Sequence, residues 1–166
     1  MTVKARLAFI AACFVIVFHS VPAAFRFTPP TDACALLTPE QVSAVLGVTA
    51  GPGQPVMPPS RLICGWAQAS EKNHSGKRVV LSIYGQLGTR TPADRFATAK
   101  TPIQGTEKTP VSGVGDDAFY STTPGLGTGL VFKKGDSAFD LHVYGFPVDE
   151  IKAKEKTLAA AILGKV

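Results

Sequence analysis

Residues 78–85 read RVVLSIYG, and residues 137–145 read SAFDLHVYG. In both stretches apolar side chains alternate with polar ones, and this period of two is typical of a strand with one buried face. Leu81 and Ile83 form the inward set of the first strand, as Leu141 and Val143 do in the second. The strands end almost alike, in LSIYG and LHVYG, so either half of the domain is duplicated or a β-rich chain has produced a coincidence.

Helices are predicted around these strands. Residues 38–41 (TPEQ) and 91–94 (TPAD) each place a capping threonine before a proline, the pattern of a helix N-terminus. The second of these helices is expected to bury Phe96 and Ala97. Residues 148–163 repeat apolar side chains at helical spacing and predict a closing helix that ends at Gly164.

Three more segments read as strands, RLICGWAQ at 61–68, DDAFYST at 116–122 and GLVFKK at 129–134. The sequence therefore predicts an α+β domain with a single antiparallel β-sheet and helices on one face. It also allows a pseudo-duplicated unit of one Thr-Pro-capped helix followed by strands. The alternative fold is a β-sandwich with peripheral helices.

The N-terminal residues have the layout of a secretory signal peptide. Lys4 and Arg6 precede an apolar run at 7–18 that is shorter than the ~20 residues needed to span a bilayer. Val21-Pro22-Ala23 fits a cleavage motif, so residues 1–23 are the predicted signal peptide and residues 24–166 a single extracytoplasmic domain. The alternatives are an uncleaved membrane anchor, or a lipid on Cys13 in the lipobox-like stretch 10–13. All three interpretations make the protein exported. A cleaved signal peptide makes it periplasmic or secreted, whereas an uncleaved anchor or a lipid attaches it to the membrane.

Charge excludes one class of partner. The 166-residue chain has a formal charge of +5, and without Lys4 and Arg6 it keeps 15 basic against 12 acidic residues, or +3. No segment combines clustered Lys and Arg with stacking aromatic residues, so nucleic acid is not an expected partner. The expected partner is an envelope protein, a glycan or a small ligand. Contact with a membrane is expected only through an uncleaved signal or a lipid on Cys13.

Two cysteines remain after signal removal, Cys34 and Cys64. An even pair in an oxidising compartment predicts a disulfide, which by closing a loop of about thirty residues contributes roughly 3–4 kcal/mol in the chain-entropy model. A metal site needs more soft ligands than two cysteines, and only His74 and His142 remain in the mature chain, so no metal is expected and the sequence indicates no cofactor.

Short motifs extend over almost all of the mature chain. They are C-x-LLT-x-E from Cys34, LG at 46–47, C-x-W from Cys64 and G-x-GD-x-A from Gly113, followed by the closing amphipathic helix. This pattern resembles a family of small exported or lipid-anchored bacterial proteins of unknown function. The resemblance implies the Cys34–Cys64 bridge and an extracytoplasmic α+β sheet domain, and it implies no catalytic residues. Residues 10–13 match the lipobox of the lipid-anchored members only weakly.

Strand alternation also selects the candidate binding residues. It sends Ser82, Tyr84, Asp140, His142 and Tyr144 to the face opposite the inward set. Tyrosine offers apolar area and a hydroxyl group together, so Tyr84, His142 and Tyr144 are the predicted ligand-binding residues of a non-enzymatic envelope domain.

The alternative function is an envelope hydrolase. It would use His142 as an acid or base with Asp140, or with the pair Asp116 and Asp117, and Ser82 as nucleophile. The GVGDDA stretch at 113–118 fits a dinucleotide fingerprint only on paper, because its two aspartates would face a pyrophosphate.

Overall fold

The computed structural model describes residues 29–70 and 76–166. In this part of the chain all seven strands form one antiparallel sheet, in the order β1-β2-β3-β7-β6-β5-β4. The strands are β1 (Gln54–Pro55), β2 (Ile63–Ala67), β3 (Arg78–Ile83), β4 (Glu107–Pro110), β5 (Asp117–Thr123), β6 (Gly127–Lys134) and β7 (Ser137–Tyr144). The helices are a 3-10 turn (Ala33–Ala35), α1 (Pro39–Leu46), α2 (Pro92–Lys100) and α3 (Val148–Leu163). The α+β class and the single sheet are confirmed, and the β-sandwich alternative is not what these residues form.

Both predicted Thr-Pro caps begin a helix. The Thr38 hydroxyl accepts a hydrogen bond from the Gln41 amide, and Gln41 Oε1 accepts one from the Thr38 amide at 2.9 Å. Thr91 and Asp94 form the same reciprocal box at α2. Two orphan amides are thereby satisfied at each helix start, which explains why these short helices begin where the sequence predicts.

The sheet has two distinct faces. The main-core face carries Leu81, Phe132 and Leu141, all fully buried, and α1 and α3 pack on it. The second face carries the residues between them, including Val80, Val131 and His142. The main core also takes in the following fully buried residues: Val42, Cys64, Trp66, Val79, Val143, Leu158 and Ile162.

Helix α2 lies on the second face. Phe96 packs there against Phe119, Val131 and Ala138, with the Phe96 and Phe119 ring centroids 5.5 Å apart. Ala97, expected to point inward beside Phe96, is exposed. The expectation that all helices share one face is therefore not confirmed, although it holds for α1 and α3. A short apolar patch on the second face is enough to hold a helix that buries one large side chain.

The two similar strand ends are neighbours at the centre of the sheet. Leu81 of β3 pairs directly with Leu141 of β7, so LSIYG and LHVYG run in opposite directions from this pair. A local two-fold axis between the two strands relates the motifs. The two Thr-Pro-capped helices do not follow that axis, since α1 packs on the main-core face and α2 on the second face. Duplication of a whole helix-plus-strands unit is not confirmed.

The Cys34–Cys64 disulfide joins the 3-10 turn to β2 across 30 residues of sequence. Cys64 is fully buried beside Trp66 on the main-core face. Asp32 supports the turn by accepting a hydrogen bond from the Cys34 amide and by pairing with Arg61. The bridge therefore fixes the N-terminal turn against the sheet.

The predicted signal peptide at residues 1–23, Cys13 and His74 lie outside the described residues. Within residues 29–70 and 76–166, no helix is long and apolar enough to cross a membrane.

Candidate functional site

The second face brings the sequence-predicted residues onto one side of the sheet. Each of them is half-buried and follows a buried residue of the main core or, for Ser82 and Tyr84, of the same inward set; Gly85 and Gly145, which follow the two tyrosines, are not buried. They are Ser82, Tyr84, Asp140, His142 and Tyr144. Their common face confirms the strand alternation, but the five residues do not form one cluster.

Tyr144, His142 and Asp140 form a row along β7. The Tyr144 and His142 rings are stacked, with centroids 5.9 Å apart and planes inclined by 16°. His142 Nε2 lies 3.0 Å from Asp140 Oδ1. Arg78, the cross-strand partner of Tyr144 on β3, places its guanidinium carbon 4.1 Å from the Tyr144 ring centroid. We call these four residues the aromatic row.

His142 is held in place from several sides. An added Cβ on Gly129 would lie 2.3 Å from the imidazole Cε1 atom, so the ring occupies space that any other residue at position 129 would fill. Burial lowers the pKa of His142, but the hydrogen bond and charge of Asp140 and a hydrogen bond to the Thr128 main chain outweigh it. The net effect is a pKa above the ordinary value. These contacts favour the charged imidazolium.

A buried carboxyl group, that of Glu155, lies on the main-core face of the sheet, next to the β7 residue that follows His142. β6 residues 127–129 pair with β5 but not with β7, because the β6–β7 register begins at Leu130 and Leu141. The freed Val143 amide donates instead to Glu155 Oε1 of α3, at 3.1 Å. Glu155 is fully buried, and its Oε2 has no hydrogen-bond partner among the described residues.

Glu155 was missed by the sequence reasoning, although a signal was present. It lies four residues after Ile151 and three before Leu158, in the middle of the apolar stripe of α3. An acidic residue at such a position marks a buried polar contact. Burial is the main cause that raises the pKa of Glu155 to about 9, and the charge of Asp140 adds to it.

Tyr84 lies at the other end of the second face from Tyr144. Its amide donates to the Ala138 carbonyl, whereas Tyr144 pairs with Arg78, six residues before Tyr84 on the neighbouring strand. At the strand rise of ~3.3 Å per residue, the two tyrosines are about 20 Å apart. Tyr84 packs against the cluster under α2, and Arg95 lies over its ring at 4.9 Å from the centroid. Burial raises the pKa of Tyr84 well above its ordinary value.

A hollow of 610 Å³ opens on the second face over β1, β2 and β3. Gly65 and Val80 are cross-strand partners in its floor, and Val80 in turn pairs with His142. Val56 of the loop after β1 overhangs the floor, since an added Cβ on Gly65 would lie 3.4 Å from its Cγ2. We call this hollow the β1–β3 groove. Arg78 lines it and connects it to the aromatic row.

The groove was not predicted. Its sequence signal is Gly65, a glycine between the core residues Cys64 and Trp66, which leaves the middle of β2 without a side chain on the second face. The glycine- and proline-rich residues 51–59 pass beside this space and cannot fill it with a regular strand.

Among the residues of the predicted hydrolase, His142 and Asp140 are paired with each other, whereas Asp116 and Asp117 are engaged elsewhere. Asp116 accepts the Gly135 amide at 2.7 Å, which is the main cause of its lowered pKa, and it also pairs with Lys134. Asp117 pairs with Lys100. Ser82 is the cross-strand partner of Asp140, whereas His142 pairs with Val80. Across residues 29–70 and 76–166, no group of three or more His, Cys, Asp or Glu side chains is arranged to hold a metal ion.

Comparison of the chain with known protein families, with curated proteins and with solved structures finds no match. The resemblance to small exported bacterial proteins therefore stays a prediction from the short motifs alone. The function has to be inferred from the groove and the aromatic row.

Proposed function

We propose that the protein is a non-enzymatic domain of the cell envelope that binds a ligand in the β1–β3 groove, beside the aromatic row. The observation that carries the proposal is the groove itself, a hollow of 610 Å³ beside an ordered row of aromatic and charged side chains. Pockets of about 300–1,000 Å³ with mostly apolar walls and a few fixed polar groups are the usual form of small-molecule sites. The predicted signal peptide and the disulfide support a place outside the cytoplasm.

The aromatic row supplies the polar side of this site. Tyr144 is held between β-sheet neighbours by its contacts with Arg78 and His142, so its position is fixed before a ligand arrives. Preorganised side chains lose little conformational entropy on binding. His142 and Tyr144 therefore stay in the proposed binding surface. The packing of Tyr84 under α2 favours a structural role for that residue.

The contacts of His142 favour binding over catalysis. A general base needs an unprotonated nitrogen within reach of the proton that it removes. His142 has Asp140 beside Nε2 and a further hydrogen bond to the Thr128 main chain, and both contacts favour the protonated ring. Among the five predicted residues, the one hydroxyl nucleophile of the hydrolase hypothesis, Ser82, lies opposite Asp140 instead.

The test is retention of a ligand from envelope extracts by the purified, disulfide-bonded protein, read by native mass spectrometry. Gly65→Leu places a side chain on the groove floor without requiring a left-handed backbone. Ala97→Leu introduces the same side chain on the exposed side of α2 and is the matched control. We expect a small-molecule adduct on the wild type and on Ala97→Leu that is lost in Gly65→Leu. Equal adducts on all three proteins, or none on any, would contradict the proposal.

A further inference from the structure

The main chain shows where β6 and β7 would continue to pair. The Tyr84 amide donates to the Ala138 carbonyl, so even-numbered residues of β7 bond to β3 and odd-numbered ones face β6. The β6–β7 register, continued two residues past its last pair, sets Thr128 opposite Val143 as the next hydrogen-bonded pair. The two strands do not pair at that position. The sheet therefore forks between Thr128 and Val143.

Two side chains take the place of the missing main-chain bonds. On the main-core face, Glu155 Oε1 accepts the Val143 amide at 3.1 Å. On the second face, the His142 imidazole makes its hydrogen bond to the Thr128 main chain. One side chain thus enters the fork from each face of the sheet. Each of them engages one of the two main-chain groups that would otherwise bond to each other.

The surroundings of Glu155 make the Val143 amide its main polar contact. The carboxyl group is fully buried, and Oε2 has no hydrogen-bond partner among the described residues. An apolar side chain at this position would avoid the cost of burying a carboxyl group. It would also leave the Val143 amide without its acceptor, and a buried amide is strongly driven to pair with another. The acceptor that the register offers is the Thr128 carbonyl.

We infer that Glu155 is a positioning residue of the aromatic row, because it holds the Val143 amide and so keeps β7 from closing onto β6. The open fork leaves the Thr128 main chain to the His142 ring. Closure would give the Thr128 carbonyl to Val143 and release His142 from one of its fixed contacts. The stacked Tyr144 ring would then lose part of its preorganisation. This inference rests on the proposed function, since it assigns the placement of that binding surface to a residue on the opposite face of the sheet.

The bond can be observed directly by NMR. A long-range HNCO experiment reports which carbonyl carbon is coupled to the Val143 amide nitrogen through the hydrogen bond. We expect coupling to the side-chain carboxyl carbon of Glu155 in the wild type. In Glu155→Met, which has a side chain of similar length and no acceptor oxygen, we expect coupling to the Thr128 carbonyl instead. Coupling of Val143 to Thr128 in the wild type, or to no carbonyl in Glu155→Met, would overturn the inference.

The pH titration of the His142 imidazole protons gives a second readout. Burial lowers the pKa of His142, and the hydrogen bond to Thr128 is among the contacts that raise it. Glu155→Met should therefore shift the titration midpoint to lower pH, whereas Glu155→Gln keeps an acceptor for the Val143 amide and should preserve the wild-type midpoint. Ile162→Val shortens another buried side chain of α3 and is the control for lost core packing, which should also preserve it. An unchanged midpoint in Glu155→Met would overturn the inference.

Ligand retention separates this inference from the proposed function. With both upheld, Glu155→Met should retain less of the adduct from envelope extract than Glu155→Gln does. If Glu155→Met keeps the wild-type His142 midpoint while Gly65→Leu loses the adduct, the groove binds its ligand and only the positioning role fails. If Gly65→Leu retains the adduct, the proposed function fails, and the NMR results still decide what places His142.

Discussion

The imidazole of His142 lies directly over Gly129, where an added Cβ would approach its Cε1 atom to 2.3 Å. Gly129 marks the point beyond which β6 and β7 no longer pair. We expect Gly129→Ala to destabilise the protein by about 1–3 kcal/mol, the usual cost of overpacking. Thermal or urea unfolding measures this change.

The control for that substitution is Gly164→Ala, because the C-cap Gly164 has ordinary helical backbone and an added Cβ there makes only normal contacts. If the His142 ring is the obstacle, the double variant Gly129→Ala/His142→Ala should regain part of the lost stability. Strictly additive effects of the two substitutions would show that the ring is not what excludes a side chain at position 129.

Glu155 gives the folded protein a specific pH dependence. Its pKa is raised to about 9 by burial, whereas in the unfolded chain it titrates near 4.5. The folded state therefore holds a proton that the unfolded state has lost, so this contribution to stability is full below about pH 4.5 and is lost as pH rises toward about 9. Each unit of pKa difference corresponds to about 1.4 kcal/mol.

Glu155→Gln keeps an acceptor for the Val143 amide and removes the ionisation. We expect the variant to gain stability over the wild type as pH rises from about 5 to about 8, by roughly 1–3 kcal/mol in urea unfolding. Glu150→Gln, at an exposed position of α3, is the control that should show no such change. A difference between wild type and Glu155→Gln that is the same at both pH values would argue against a neutral buried carboxyl.

The Cys34–Cys64 disulfide leads to two predictions, one on the alkylation of the cysteines and one on the free energy of unfolding. Alkylation of the denatured but unreduced protein should modify neither Cys34 nor Cys64, and peptide mass mapping reports each site separately. Replacing both with serine should lower the unfolding free energy by about 3–4 kcal/mol for a loop of this length. Stoichiometric labelling of both cysteines without reductant would remove the bridge from this account.

The two tyrosines are predicted to behave differently. Tyr84→Ser removes a ring that packs against the buried cluster under α2, so we expect a loss of about 2 kcal/mol in stability. Tyr144→Ser should cost about 1 kcal/mol or less, because it loses surface contacts with Arg78 and His142, but it should weaken ligand retention. Tyr144→Phe keeps the ring and is the control. The reverse pattern, with Tyr144 as the stability residue, would exclude it from the binding surface.

Local features of the fold were predictable because local physics decides them. Thr38 and Thr91 mark the N-termini of their helices, because each forms reciprocal capping hydrogen bonds. The alternation around Leu81 and Leu141 assigns each strand side chain to one face of the sheet. The pairing of these two leucines in one register was not predictable, since the strand order depends on contacts far apart in sequence. The same is true of α2, whose place on the second face depends on an apolar patch contributed by three strands.

The candidate site was predicted only in part, for a related reason. Alternation placed His142 and Tyr144 on one face, and it also placed Tyr84 there, but it carries no information on what covers that face. The groove is formed by an absence of side chain at Gly65 and by the path of the glycine- and proline-rich loop, neither of which has a periodic signal. Glu155 lay in a stripe that periodicity alone assigns to apolar residues.

The most direct test of the central claim, that the β1–β3 groove is the binding site, is a two-dimensional amide NMR map of the protein with and without the small molecule recovered from envelope extract. We predict that the largest shift changes fall on Gly65, Ala67 and Val80 in the floor and on Arg78 at its end. Control amides on α1 and on β4, at the far edge of the sheet, should not move. Shift changes that centre on α1, α3 or β4, or no changes at a saturating concentration of that molecule, would contradict the claim.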